Sequence, residues 1–260
     1  LMIASVTSGI VTEAIAGRRP FMDIAVPDVA ILWLPAFVVL GIALGGIGVL
    51  FNRTLVGALD LALAIGRRSS FYIVPLVVGF SVGVLLLVLP EATMGGENLA
   101  VRIVSQNLPL TVVALIVVIR FSMTMASYST GVPGGIFAPI LSLATAVGLL
   151  YGLLLSAVLP VPAGMETAFA VAAMAGLFTA TVRAPLVGIV LIAELTGAYS
   201  TFIPAIVTCL CANVFADWLG GRPIYEVLLE RTLRLAGQPA PATAPATADQ
   251  SPQIGGWDQR

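Results

Sequence analysis

Histidine and lysine are both absent from this chain of 260 residues, and charged residues of all kinds make up only 10% of it. Without histidine, the usual zinc sites lack a ligand, and serine or cysteine nucleophiles lack their usual base. Twelve arginines against 13 acidic residues give a net charge of -1, so no basic face is available for nucleic-acid phosphates. We therefore expect no enzyme, no cofactor and no nucleic-acid partner.

Cysteine is scarce as well, with Cys209 and Cys211 two positions apart in an apolar run. The chain has no other cysteine with which either residue could form a disulfide, and no histidine that could complete a metal site. Two small, buried, apolar side chains are the favoured interpretation of this pair.

Apolar residues are abundant, at 59% of the chain, and the mean hydropathy is +1.06. No soluble domain of this length has that composition. Because a helix crosses the hydrocarbon core with about 20 apolar residues, the clear predicted spans are residues 29–51 and 70–89. Further spans are predicted over 103–119 and 195–216, with polar connections at 16–28 and 52–69.

Some apolar segments do not fit simple membrane crossings. Residues 121–165 form an uncharged stretch of 45 residues, far longer than the roughly 20 residues of one crossing. Gly and Pro interrupt this stretch at 131–135. The following segments, 167–182 and 184–193, are too short to cross straight. Short apolar segments interrupted by Gly and Pro are typical of the discontinuous helices of transporters and channels.

The loop at residues 131–135 leads into an apolar run that is predicted to be helical. The first amides of a helix lack partners and carry partial positive charge, so a helix N-terminus can bind an anion. Glycines at 134 and 135 permit a positive φ and a close approach, and Pro139 is tolerated early in a helix. The sequence thus presents the backbone of Ile136, Phe137 and Ala138. The alternative is an ordinary break between two membrane helices.

Several motifs resemble those of the CLC family of chloride channels and transporters. Gly135-Ile136-Phe137-Ala138-Pro139 matches the GIFAP motif of that family, and residues 129–134 are similar to the approach to it. Residues 183–196 resemble the penultimate pair of membrane segments. Gly220-Gly221-Arg222-Pro223-Ile224-Tyr225 is similar to the entry to the last helix, and residues 89–96 resemble a loop of the same half. The resemblance extends over about residues 1–235.

The resemblance implies an all-α membrane protein with the CLC inverted-repeat fold, its helices discontinuous and tilted, of which this chain is the C-terminal repeat. It implies an anion site formed by Gly135, Ile136, Phe137, Ala138 and Tyr225. The amides of Ile136 and Phe137 and the hydroxyl of Tyr225 would hold the central anion, with the Ala138 amide toward an outer site. Without the family, a tyrosine near a helix end is more often an interface anchor.

The implied function is chloride transport, by a channel or a proton/chloride exchanger, in the cell (inner) membrane with several passes. The family's GSGIP and GREGP or GKEGP motifs do not occur in these 260 residues. The choice between channel and exchanger therefore stays open, and the chain alone is expected to supply only part of the anion site. The alternatives are a fluoride-handling relative and a truncated, non-transporting membrane subunit.

The expected partners are chloride or other small anions, membrane lipid and a second copy of the chain. The homodimer would form through residues 1–15, 184–195 and 201–218, where small residues such as Gly9, Gly188 and Ala212 permit close approach. Residues 1–235 would form the transmembrane half, and residues 236–260, rich in Pro, Ala and Thr, a disordered cytoplasmic tail.

Glu194 lies in an apolar segment, where carboxylates are costly and usually functional. The family's proton glutamate belongs to the equivalent segment of the other half, so we do not assign Glu194 that role. We expect Glu194 to pair with an arginine or with backbone donors, and Arg183 is one candidate.

Overall fold

The computed structural model describes residues 2–17, 22, 26–68, 70, 72–93, 99, 108–132, 134–197 and 199–238. Over these residues the regular structure is helical throughout. The α-helices are α1 (Met2–Ala16), α2 (Leu34–Arg68), α3 (Ile73–Val88), α4 (Leu110–Ser129), α5 (Phe137–Ser156), α6 (Met165–Val182), α7 (Pro185–Thr196), α8 (Phe202–Trp218) and α9 (Ile224–Leu235). Short 3-10 turns lie at Ile31–Trp33, Pro90–Ala92 and Tyr199–Thr201.

The chain divides into two compact units, Leu1–Ile224 and Tyr225–Arg260. Among the described residues of the first unit, four helical segments are long and apolar enough to cross a membrane: Ile31–Arg68, Leu110–Ser129, Phe137–Ser156 and Met165–Val182. The second unit is described as far as residue 238 and contains the rest of α9. Most of the predicted tail, 239–260, lies outside the described residues. The all-α, multi-pass membrane prediction agrees with these helices.

The long helix α2 departs from the sequence prediction. Residues 52–69 were expected to form a polar connection, but α2 continues without a break to Arg68. The charged residues Arg53, Asp60 and Arg67 are spaced by seven positions, so they share one face of a helix. Apart from Asn52, Thr54 and the terminal Arg68, the remaining positions of this part of α2 are apolar or glycine. No proline interrupts this part of the helix. A regular helix is therefore compatible with these charges.

The helix α4 also differs from the predicted span at 103–119. It begins after Pro109 and continues to Ser129, through Arg120, whereas residues 101–107 lie outside the described residues. The Arg120 side chain is buried, at 5% exposure, and its Nη2 donates to the carbonyl oxygen of Glu91 at 2.8 Å. Because the guanidinium is hydrogen-bonded inside the protein, this charge does not end the helix.

The predicted break-up of residues 121–165 is confirmed, since α4 and α5 are separate helices and a turn precedes α6. The segment 167–182, judged too short to cross, lies within the 18 residues of α6. The span predicted over 195–216 is divided, because α7 ends at Thr196 before Gly197, whose φ is 64°, and α8 begins at Phe202. Pro204 lies in the first turn of α8, where proline is tolerated.

The core surrounds α6, whose residues from Met165 to Thr181 are nearly all buried. Small residues let the neighbouring backbones approach it and each other. A methyl group on Gly41 of α2 would lie 2.6 Å from the carbonyl oxygen of Thr208, and one on Gly45 would lie 2.8 Å from that of Ala212. Cys209 is buried and Cys211 is half-buried, and both thiols are free, in agreement with the favoured interpretation.

Candidate anion-binding site

The predicted glycine-rich loop connects α4 to α5. Its described part turns at Gly131, where φ is 76°, immediately after Thr130 at the end of α4. The hydroxyl of Thr130 accepts a hydrogen bond from the Val132 amide at 3.3 Å. The expected positive φ thus occurs at Gly131 rather than at Gly134 or Gly135. Gly131 directly follows the C-cap of α4, where a left-handed glycine is favoured.

The helix α5 begins at Phe137, two residues after the loop at 131–135 that was predicted to lead into a helix. Ile136 occupies the N-cap position, and no side chain caps the helix there among the described residues. The first helical hydrogen bond runs from the Ile140 amide to the Ile136 oxygen at 3.1 Å. The amides of the first turn therefore keep the partial positive charge of an uncapped helix N-terminus.

At this N-terminus, the side chains of Ile136 and Phe137 pack against the protein, whereas Gly135 and Ala138 form an exposed face, called the open face below. Ile136 is 2% exposed, and the Phe137 ring packs edge-on against Phe178 of α6, with ring centroids 5.6 Å apart. Ala138 and Gly135 are exposed, and a methyl group on Gly135 would meet nothing within 4 Å. Two apolar side chains thus fix the helix start, and the backbone beside Gly135 stays accessible to a small ligand.

A cavity of about 360 Å³ adjoins this open face. Five of its residues belong to the loop or to α5: Gly134, Gly135, Ala138, Pro139 and Ser142. The facing wall carries polar groups of α4, namely Arg120, Thr124, Ser127 and Tyr128. Hydroxyl groups and a buried guanidinium are suitable donors for an anion.

Arg120 is a charged residue of this cavity that was not predicted from the sequence. In the sequence it is the single charged residue between positions 103 and 165. An ionisable residue within a membrane segment is a candidate for function by default, so its isolation was the available signal.

Tyr225 lies in the first turn of α9, in the second compact unit, and half of its surface is exposed. The structure thus brings Gly135, Ile136, Phe137 and Ala138 together at the N-terminus of α5. The sharing of one anion between Tyr225 and these residues stays a prediction. No cluster of potential metal ligands is found in the described part of the chain.

Arg183, the candidate partner of Glu194, is paired with a different acid, Asp217. Arg183 ends α6 with a φ of 68°, and its guanidinium donates to the Asp217 carboxylate and to the Asn213 carbonyl oxygen, both on α8. Glu194 lies on the exposed side of α7. The left-handed turn at Arg183 directs its side chain to α8, a tertiary effect that sequence spacing does not reveal.

Comparison with known proteins shows the family of this chain. The model of the family described as voltage gated chloride channel matches residues 1–217. The chain belongs to this CLC family. The assignment confirms the resemblance drawn from the GIFAP motif, and, because the family consists of channels and transporters, it also confirms the expectation that the chain is not an enzyme.

The curated CLC relatives include proteins named H(+)/Cl(-) exchange transporter ClcA. The protein from Vibrio parahaemolyticus is 37% identical over 239 residues, which cover 90% of this chain and 51% of that protein. The protein from Salmonella arizonae is 36% identical over 233 residues, covering 88% and 49%. The chain therefore spans about half the length of the curated relatives that it matches.

Two solved structures show the same fold. A slow cyanobacterial Cl-/H+ antiporter is 35% identical, with a TM-score of 0.71, over 90% of this chain and 55% of the antiporter. A eukaryotic CLC transporter is 24% identical, with a TM-score of 0.63, over 77% and 35%, and supports the fold alone. These neighbours confirm the all-α CLC fold predicted for the chain.

Proposed function

We propose that this chain forms one side of a chloride pathway in a proton/chloride exchanger. The relatives named as exchangers support the choice of exchange over passive conduction, at 37% identity for the Vibrio parahaemolyticus protein. The observation that carries the proposal is the uncapped N-terminus of α5, which opens beside Gly135 onto a cavity of about 360 Å³.

In this proposal the amides of Ile136 and Phe137 and the hydroxyl of Tyr225 bind the central chloride, and the Ala138 amide serves an outer position. Gly135 leaves room for the ion, since no atom lies within 4 Å of a methyl group placed there. Amide dipoles and a hydroxyl replace part of the ion's hydration shell without a formal charge in contact with it. Binding is then weak enough for the ion to leave again.

The buried side chains behind the site support this role. A backbone donor is effective only when it cannot move away from the ion, because preorganised dipoles need no rearrangement on binding. Phe137 is held against Phe178, and Ile136 is buried. The two amides therefore belong to a helix start that is fixed from behind.

A bromide soak tests the amide site directly. We expect crystals of the native protein soaked in bromide to show an anomalous peak in contact with the Ile136 and Phe137 amides. Absence of a peak there, with bromide bound elsewhere in the same crystal, would reject the site.

The Tyr225 contribution is tested by calorimetry. Tyr225→Phe should weaken chloride binding by about fivefold, the equivalent of one hydrogen bond of about 1 kcal/mol. Tyr151→Phe is the matched control, because it removes a hydroxyl that donates to the Ala36 oxygen at 2.7 Å within the first unit. Equal chloride affinity in the wild-type protein and Tyr225→Phe would remove the tyrosine from the site.

Flux measurements distinguish the exchanger from its alternatives. In vesicles containing the native protein, an outward chloride gradient should drive protons inward against their own gradient. Chloride flux without proton movement would indicate a channel, and preferred fluoride flux would indicate a fluoride-handling relative. Absence of any anion flux would favour a non-transporting subunit.

A further inference from the structure

The connection between α8 and α9 is attached to the middle of α2. The Leu219 oxygen accepts a hydrogen bond from Arg53 Nη2 at 3.0 Å, and the Arg222 oxygen accepts one from Asn52 Nδ2 at 2.9 Å. Between them, Gly221 packs so closely that a methyl group on it would lie 2.7 Å from Val49 Cγ2. One stretch of α2 thus contacts the connection at three points.

Asn52 is buried, with an exposure of 5%. Its Nδ2 also donates to the Thr181 oxygen at 3.0 Å, in the last turn of α6. Both amide hydrogens are therefore used, and both acceptors are backbone carbonyls. The side chain links the end of α6 to the residue that precedes Pro223.

The orientation of the Asn52 amide follows from these contacts. Rotating the amide by half a turn would bring Oδ1 against two carbonyl oxygens, which cannot donate to it. In the observed orientation, Oδ1 is buried without a hydrogen-bond partner among the described residues. A leucine would fill a similar volume without leaving a buried oxygen unpaired. The specific contribution of Asn52 is thus its pair of donors.

The Arg222 carbonyl lies at a sensitive point of the backbone. Pro223 follows it and has no amide hydrogen to hold the chain, and α9 begins at Ile224. Tyr225, the proposed chloride ligand, is three residues beyond the carbonyl that Asn52 binds. A shift of about 1 Å in a ligand is enough to impair a preorganised site.

We propose that Asn52 is a positioning residue for the anion site, because it holds the Arg222 carbonyl and so fixes the backbone that leads into Tyr225. This inference rests on the proposed function, in which the Tyr225 hydroxyl binds chloride. Arg53 assists from the exposed side through Leu219. Loss of the Asn52 or Arg53 donor leaves the connection between α8 and α9 less firmly held, while the Tyr225 hydroxyl itself is retained.

The test measures chloride affinity by calorimetry in the purified native protein. Asn52→Leu should weaken chloride binding by about fivefold, as does loss of the tyrosine hydroxyl, because a displaced hydroxyl loses its hydrogen bond of about 1 kcal/mol. Arg53→Met should weaken it less, by about twofold, since exposed contacts to charged groups contribute little.

Thr208→Val is the matched control. Thr208 is fully buried on α8, and its hydroxyl donates to the Phe37 oxygen of α2 at 3.3 Å. The variant therefore removes a hydrogen bond between α8 and α2 without touching the connection. We expect a lower melting temperature and unchanged chloride affinity, whereas an affinity loss equal to that of Asn52→Leu would overturn the positioning role.

A double-variant cycle separates this inference from the proposed function. If Asn52 acts through the tyrosine, Asn52→Leu should cause no further loss of affinity in a Tyr225→Phe background. Full additivity, or an Asn52→Leu protein with wild-type affinity, overturns the positioning role alone. Unchanged affinity in Tyr225→Phe removes the tyrosine ligand and the positioning role together, while a bromide peak at α5 would still support the amide site.

The exposed Arg53 keeps the inference testable if Asn52→Leu does not fold. Arg53→Met removes a surface donor, so the folded protein should be retained. Its affinity loss should also disappear in the Tyr225→Phe background. Wild-type affinity in Arg53→Met would then overturn the inference.

Discussion

Gly148 on α5 and Ala170 on α6 are in direct backbone contact, since a methyl group on Gly148 would lie 2.5 Å from the Ala170 α-carbon. One turn further along α5, a methyl group on Gly152 would lie 2.9 Å from the Glu166 α-carbon. Glycines spaced by four residues allow two membrane helices to pack at short distance. The helix that carries the proposed anion site is therefore held tightly against the core helix α6.

Gly148→Val should be strongly destabilising, because the added side chain meets backbone atoms that cannot rotate away. Overpacking of this kind costs about 1–3 kcal/mol or more. The measurement is the melting temperature in detergent. Gly79→Ala in α3 is the control, since nothing lies within 4 Å of its added methyl group, and alanine favours a helix by up to about 1 kcal/mol. Equal melting temperatures for both variants would contradict the close packing.

The contacts of Arg183 predict that substitution of Arg183 lowers stability more than substitution of its ion-pair partner, Asp217. Asp217→Asn should cost less than about 1 kcal/mol, because the carboxylate is 77% exposed and solvent screens the pair. Arg183→Met should cost more, since it also removes the donor to the Asn213 oxygen. Denaturation of the two variants under the same conditions checks the order. Equal losses in the two variants would show that the ion pair dominates, and a larger loss from Asp217→Asn would contradict the expected order.

Arg120 should accelerate chloride entry into the cavity. Its charge lies in the wall that faces Gly135, and a positive potential in a cleft raises the association rate of anions. Arg120→Gln should slow chloride flux severalfold at low ionic strength and less at about 1 M salt, where the Debye length falls to about 3 Å. Arg120→Lys is the control, because it keeps the charge. A loss independent of salt, or an equal loss in Arg120→Lys, would indicate a structural role through Glu91 instead.

The features that could be predicted from the sequence are those set by residues close together in the chain. The loop ahead of α5 and the start of that helix follow from the conformational preferences of glycine and proline, so the backbone from Gly135 to Ala138 could be selected as a candidate without tertiary information. The continuation of α2 beyond Asn52 was missed because the run of uncharged residues, rather than helical periodicity, set the predicted boundary. The hydrogen bonds of Asn52 and Arg120 go to carbonyls distant in sequence, those of Arg222 and Glu91, and no local pattern encodes these contacts.

The described surface revises the argument for a homodimer. Gly188 and Ala212, selected as small residues for close subunit approach, pack inside the chain: a methyl group on Gly188 would lie 2.8 Å from Thr179 Oγ1, and Ala212 is fully buried. Gly9 remains available, since nothing lies within 4 Å of its added methyl group. The apolar exposed residues of the three predicted segments, rather than their small ones, are the candidates for the interface.

The face of α7 gives the sharpest test of the homodimer. Leu186 is 77% exposed and Val190 56% exposed, one helical turn apart, whereas the adjacent Ile189 is 6% exposed. In a twofold dimer the same surface of both copies meets across the axis, so a cysteine at position 190 should cross-link in membranes once Cys209 and Cys211 are replaced. Ile189→Cys is the matched control and should not cross-link, because its side chain points into the chain. Cross-linking at neither position, together with a monomeric mass in detergent, would assign this apolar face to lipid.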